Sequence, residues 1–168
     1  SGGTEEYSRA DFSAALNRMG SAISGEANYD HNSLSMSTLG AYLPETWALF
    51  SQVINSPSFP ESEVERQRHL QVQGVLMRDD DPDDRVSDIA RGLLFEGHQY
   101  ANAPRGTAET LGGFSRDALR DAYRAQFDLS RMLLVVVGDV DQVTLETLIG
   151  ETFSGMVDTG IPSPPVPP

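Results

Sequence analysis

Apolar and polar positions alternate in one short stretch and follow a helical period almost everywhere else. Leu34 and Met36 alternate with Ser33, Ser35 and Ser37, a period of two that predicts a half-buried strand over Ser33 to Leu39. Ala22 to Asn28 predicts a second strand, with Tyr29-Asp30-His31-Asn32 as the turn of a hairpin. Before it, Phe12, Leu16 and Met19 form one stripe. Ser8 with Asp11 makes a capping box, Tyr7 a staple onto Phe12, and Gly20 a stop, so this helix has marked ends. A second helix begins at Pro44-Glu45, gathers Trp47, Phe50, Val53 and Ile54 on one face, and ends in Asn55-Ser56-Pro57.

The longest helical pattern follows Pro60, whose missing N–H is harmless in a first turn and whose neighbours Glu61 and Glu63 suit the positive end of the helix dipole. Val64, Val72, Val75 and Leu76 share one face, with Glu65, Arg66, Arg68 and Arg78 predicted to face water. The helix runs about five turns into an acidic turn, Asp79 to Asp84, with Pro82 inside it. Gly74 sits in its interior, where glycine is worse than alanine by roughly 1 kcal/mol and no turn is wanted.

Asp84 is placed to cap a further helix with Val86, Ile89 and Leu93 pointing inward, stopping near Gly97. Residues 101–113 read as loop, with Pro104, Gly106 and a Gly112-Gly113 pair. Ser115 caps a helix to about Phe127, with Phe114 stapled to Leu119. Met132 to Val137 is a continuous apolar run, predicting a strand covered on both faces. Val140 or Asp141 opens a last helix with Leu145, Leu148 and Ile149 apolar. Three strands are too few to cover the last of them, which predicts an open sheet edge or apolar face that needs a neighbour. The Pro-rich residues 159–168 read as a linker to a further domain.

Composition narrows the function. At 168 residues the chain is long enough for a sizeable core. A net charge of −13 disfavours a nucleic-acid partner, which needs clustered cations. The absence of cysteine removes disulfide and thiolate chemistry. No apolar run approaches the ~20 residues of a membrane span. The compartment stays open between bacterial envelope and cytoplasm.

Few residues have the spacing of reactive chemistry. The Asp79 to Asp84 cluster lacks the glycine of a calcium loop and is interrupted by Pro82, so it reads as a solvated turn with a helix cap. His31, His69 and His98 lack metal-ligand spacing: the first lies in a turn, the second on an exposed helix face, the third beyond a helix end. Gly113-Phe114-Ser115-Arg116-Asp117 lacks the second glycine of a nucleophile elbow, and no Gly-rich phosphate loop occurs.

Several stretches taken together resemble the M16 peptidases, the family of insulinase, pitrilysin and mitochondrial processing peptidase. They are Phe59-Pro60-Glu61, Glu65-Arg66-Gln67-Arg68 and Asp80-Asp81-Pro82-Asp83-Asp84. In order with them stand Gly3-Thr4, Leu16 to Gly20, Asn55-Ser56-Pro57, Gly97-His98-Gln99-Tyr100, Gly106-Thr107, Phe114-Ser115-Arg116 and Gly138-Asp139-Val140. The resemblance covers Gly3 to about Met156 and implies an α/β domain over 3–158, a mixed, mostly antiparallel sheet with helices mainly on one side. It also implies that the domain's first strands and zinc-motif helix lie upstream of Gly3.

Active members of the family hold zinc through His-x-x-Glu-His and a downstream glutamate. The motif is absent here, and by the resemblance the glutamate falls at Gly74. The implied reading is a chain with no catalytic or metal-binding residue and no cofactor of its own, zinc belonging to active relatives. It would pair with an active M16 half or subunit and help enclose peptide substrates. The alternatives are an inert part of an active zinc endopeptidase whose site lies elsewhere, and a peptide-binding scaffold with no proteolytic partner. Family members bind peptides as an added strand through an Asn-Ala pair that aligns with Ser24-Gly25, which makes Ser24, Gly25, Glu26 and Ala27 the candidate peptide-binding edge.

Overall fold

The computed structural model describes residues 3–161. Within them the chain forms two compact units, 3–24, 34–59 and 120–161 in the first, 25–33 and 60–119 in the second. The predicted linker over 159–168 falls mostly outside the described residues.

The first unit is built on α1 (Arg9–Met19), α2 (Leu43–Asn55) and α7 (Gln142–Phe153). Ser8 caps α1, its Oγ accepting the Asp11 N–H while its hydroxyl donates to Asp11, and Gly20 ends the helix at a left-handed φ of 62°. Phe12, Leu16 and Met19 therefore all turn inward against Leu49 of α2. Trp47, Phe50 and Ile54 on the adjoining face of α2 bury themselves against Phe153, with Leu145, Leu148 and Ile149 packed alongside. The Trp47 indole N–H is satisfied by Thr152 Oγ1 at 2.8 Å, so burial leaves no orphan donor. Thr46, fully buried, meets Ser21 at 2.9 Å and Thr38 at 3.0 Å in a closed set of hydroxyls.

The hairpin pairs β1 (Ala22–Ala27) with β2 (Asn32–Ser37) as a two-stranded antiparallel sheet. Leu34 and Met36 alternate with exposed serines as their period of two predicts. Their partly buried side chains pack onto the Trp47 cluster.

The second unit is held by α3 (Glu61–Asp79), α4 (Pro82–Leu94) and the short α5 (Ala108–Gly112). Three expectations change here. Asp81, not Asp84, caps α4, accepting from the N–H groups of Asp83 and Asp84 at 2.9 and 3.2 Å, with Pro82 in the first turn. Arg66, Arg68 and Arg78 do not simply face water. Arg66 pairs with Glu63, Arg68 with Glu65 and with the carbonyls of Gly112 and Phe114, and Arg78 with Asp84 and Asp88. Val86, Ile89 and Leu93 point outward, 65%, 56% and 75% exposed. α4 meets α3 through its charged face, where Asp84 and Asp88 pair with Arg78, and no described residue covers the opposite, apolar face.

Residues 101–113 carry more structure than their composition suggests. Thr107 and Thr110 cap each other reciprocally and start α5. The hairpin tip is fastened to the same unit: Tyr100 donates its hydroxyl to Asp30 at 2.7 Å and meets the Tyr29 ring at a centroid distance of 5.1 Å.

From Ser115, whose Oγ accepts the Ala118 N–H, α6 (Arg116–Gln126) leads back into the first unit. Met132 to Val137 then forms no strand, although its sequence is the most strand-like in the chain. A strand exists only when a neighbour takes its N–H and C=O groups, and no described residue pairs with the backbone of 133–137. The fold is thus mostly helical with one small sheet.

Candidate functional site

Gly74 lies inside α3, surrounded by regular helix on both sides. A Cβ added there would meet nothing within 4 Å. The space beside Gly74 is open. Gln73 and Val75 flank it, and neither supplies a carboxylate. No group of three or more His, Cys, Asp or Glu is arranged to hold a metal ion among the described residues.

The histidines and the acidic turn do not converge on one point. His31 Nε2 accepts from the Asn28 amide at 3.3 Å, because the Asn28 oxygen is already taken by two turn N–H groups. His98 Nδ1 accepts the Tyr100 N–H at 3.1 Å and so starts the 3-10 turn Gln99–Ala101. His69 is exposed on α3. Within the acidic turn, Asp81 is a cap and Asp84 an ion-pair partner of Arg78. A zinc ion needs three convergent donors, and these residues do not fit one.

Ser24, Gly25, Glu26 and Ala27 all stand on β1 and are exposed. Ser24 is bonded across the hairpin to Ser35 at 2.9 Å, which fixes the register on the β2 side. Among the described residues β1 has no neighbour on its other side, so its outward N–H and C=O groups form an open edge. At the far end of β1 the chain borders an open cavity of about 510 Å³, lined by Asn28, Tyr29, Arg78, Asp84, Arg91 and Arg105 among others. The sequence reading missed this cavity.

Outside both features, two groups have strongly altered acidity. Tyr123 is pushed up to about 12 by burial, its hydroxyl donating to the Val53 carbonyl at 2.6 Å. Asp128 is held far below the usual carboxylate range by hydroxyl and N–H donors from Ser130 and Thr159. Each binds one segment of the first unit to another, and neither lies beside Gly74 in sequence or on its helix.

A family described as insulinase (peptidase family M16) matches residues 1–107, and the peptidase M16 inactive domain matches 113–168. An uncharacterised zinc protease of Mycobacterium bovis is 26% identical over 157 residues, covering 94% of this chain and 36% of the relative. Among solved structures, a peptidase M16 inactive domain from Pseudomonas fluorescens superposes with a TM-score of 0.83 at 20% identity, covering 99% of this chain and 40% of that one. The first half of the periplasmic protease PqqL from Escherichia coli gives 0.76 at 22% identity, over 99% of this chain and 37% of that one. The chain therefore spans well under half the length of the proteins it matches, and its fold is that of the M16 domains. With a family match over more than half of its residues, the chain belongs to the M16 insulinase family of peptidases.

Proposed function

We propose that this chain is a non-catalytic M16 domain that pairs with an active M16 half or subunit and helps hold peptide substrates. Gly74 carries the reading. At the position where the family resemblance puts a zinc-ligating glutamate, the helix offers open space and no donor, and glycine has no conformational reason to be there. The open edge of β1 supports the peptide-holding part, because strand addition depends on backbone hydrogen bonds and survives loss of a metal. The match to an inactive-domain family and to halves of larger M16 proteins supports the pairing.

Two measurements test this. Metal analysis of the purified chain, with peptide cleavage assayed before and after chelation, should give no stoichiometric zinc and no chelator-sensitive cleavage; zinc bound by this chain's residues would overturn the assignment of Gly74. Co-expression with an M16 subunit carrying His-x-x-Glu-His should yield a stable complex that cleaves peptide. Failure of the two to co-purify would remove the pairing.

A further inference from the structure

The cavity beside the end of β1 has a charge that the chain as a whole does not lead one to expect. The protein carries −13, yet three arginines from three different segments, Arg78 on α3, Arg91 on α4 and Arg105 in the loop before α5, line the same opening. Two of them are already fixed. Asp88 holds Arg91 at 2.6 Å and Arg78 at 3.2 Å, while Asp84 reaches Arg78 Nε at 3.4 Å. Arg105 has no carboxylate partner among the described residues. A guanidinium has five donors and a single carboxylate contact leaves several unused, so the held pair still presents N–H groups.

The same three arginines also line a second cavity of about 440 Å³, where Asp79 and Asp88 join them. Asp84 and Asp88 between them balance Arg78 and Arg91. The uncompensated charge is that of Arg105, which lines the cavity together with Asn28 and Tyr29, at the point where β1 runs out. Planar guanidiniums held in place favour a planar two-oxygen anion, because paired N–H donors match its geometry.

We propose that this cavity takes a carboxylate, borne by a peptide laid along β1. The inference rests on the strand-addition reading above and adds to it a substrate class: extended peptides with an acidic side chain at the position that passes Ala27 and enters the cavity. A peptide strand paired with β1 advances about 3.3 Å per residue, so one that continues past Ala27 comes to Asn28, and both residues line the cavity. Arg105 is the determinant of the preference, Arg78 and Arg91 being tied down by Asp88.

The test uses the full 168-residue chain and two fluorescein-labelled, amidated peptides of alternating Val and Thr, one ending in Glu and the other in Gln. Fluorescence anisotropy should show the Glu peptide binding roughly 10-fold tighter, the order of one charge-assisted contact. Arg105→Ala should abolish that difference while leaving the Gln peptide unchanged. Equal binding of the two peptides to the unaltered chain would overturn the carboxylate site and leave strand addition standing. If neither peptide binds, strand addition fails, and the cavity is then judged alone by titrating glutarate against the arginine Nε–Hε resonances. A saturable shift at Arg105 would retain an anion site there; no shift would end it.

Discussion

Arg78 of α3 bonds Asp88 of α4 at 3.2 Å, and the same carboxylate holds Arg91 at 2.6 Å, so one aspartate ties two helices and two guanidiniums together. These side chains are partly exposed, and single ion pairs of that kind contribute ~1 kcal/mol or less. They mark the face of α4 that meets α3. Asp88→Ala should lower stability by about 1 kcal/mol and should speed amide exchange across 82–94 while α1 and α2 stay protected. Unchanged exchange in α4 would mean that something other than these pairs seats it.

Gly74 offers the opposite kind of test, a substitution that should improve the protein. Its helical surroundings place no atom within 4 Å of a new Cβ. Gly74→Ala should therefore stabilise the chain by about 0.5–1 kcal/mol through helix propensity and reduced freedom of the unfolded state. The readout is the urea midpoint at constant slope. A loss of stability would show that glycine is required there for packing, and would weaken its reading as the vestige of a lost ligand.

How much of this was visible in the residues depends on whether a feature is local. The ends of α1 were legible because Ser8, Asp11 and Gly20 act on backbone groups within one turn. The hairpin was legible because Leu34 and Met36 alternate with serine. The glycine at position 74 inside a helix was legible because the helical pattern runs on both sides of it. The facing of α4 was not: periodicity says that Val86, Ile89 and Leu93 share a side, but not which side meets α3. Met132 to Val137 failed for a related reason, since strand propensity describes a fit to neighbours and the described residues provide none. The arginine cavity draws on three segments that only the fold brings together.

Tyr123 makes stability depend on alkaline pH. Its ring meets Phe59 edge-on and Phe127 at a tilt, at centroid distances of 5.3 and 4.9 Å, and its hydroxyl donates to Val53. Burial raises its pKa from about 10 to about 12. Because the folded value lies above the unfolded one, the contribution is complete below pH 10 and is lost as pH rises through 10 toward 12. Tyr123→Phe should cost about 1–2 kcal/mol at neutral pH, since the Val53 carbonyl loses its donor. It should also flatten the decline of thermal stability in that alkaline window. A decline of the same slope in both proteins would assign the alkaline loss to other groups.

Asp128 works in the other direction. Ser130 and Thr159 donate to its carboxylate from hydroxyl and backbone groups, and Arg131 lies at 3.3 Å. These donors favour the charged form and hold the folded pKa well below the unfolded value. The stabilisation is thus full above the ordinary carboxylate pKa of about 4 and falls as pH drops below it. The stability difference between the unaltered chain and Asp128→Asn should be constant from pH 7 to 5 and shrink below pH 4. A difference that stays level to pH 3 would show that the charge of Asp128 is not what the surrounding donors stabilise.

The uncovered run after α6 predicts how the isolated chain behaves in solution. Leu133, Val135 and Val137 are 88%, 70% and 93% exposed, and the backbone of 133–137 has no partner among the described residues. Unpaired N–H and C=O groups beside β-branched side chains are a template for pairing with another strand. Light scattering should give a mass above the 18.3 kDa of one chain, rising with concentration. Val135→Lys should return it toward that value, because a lysine on such an edge resists desolvation and blocks pairing. The substitution lies on the exposed run, so a folded, monomeric variant beside an associating parent would assign the association to this segment. An unaltered chain that stays monomeric across the same concentrations would show that these exposed residues do not recruit a neighbour.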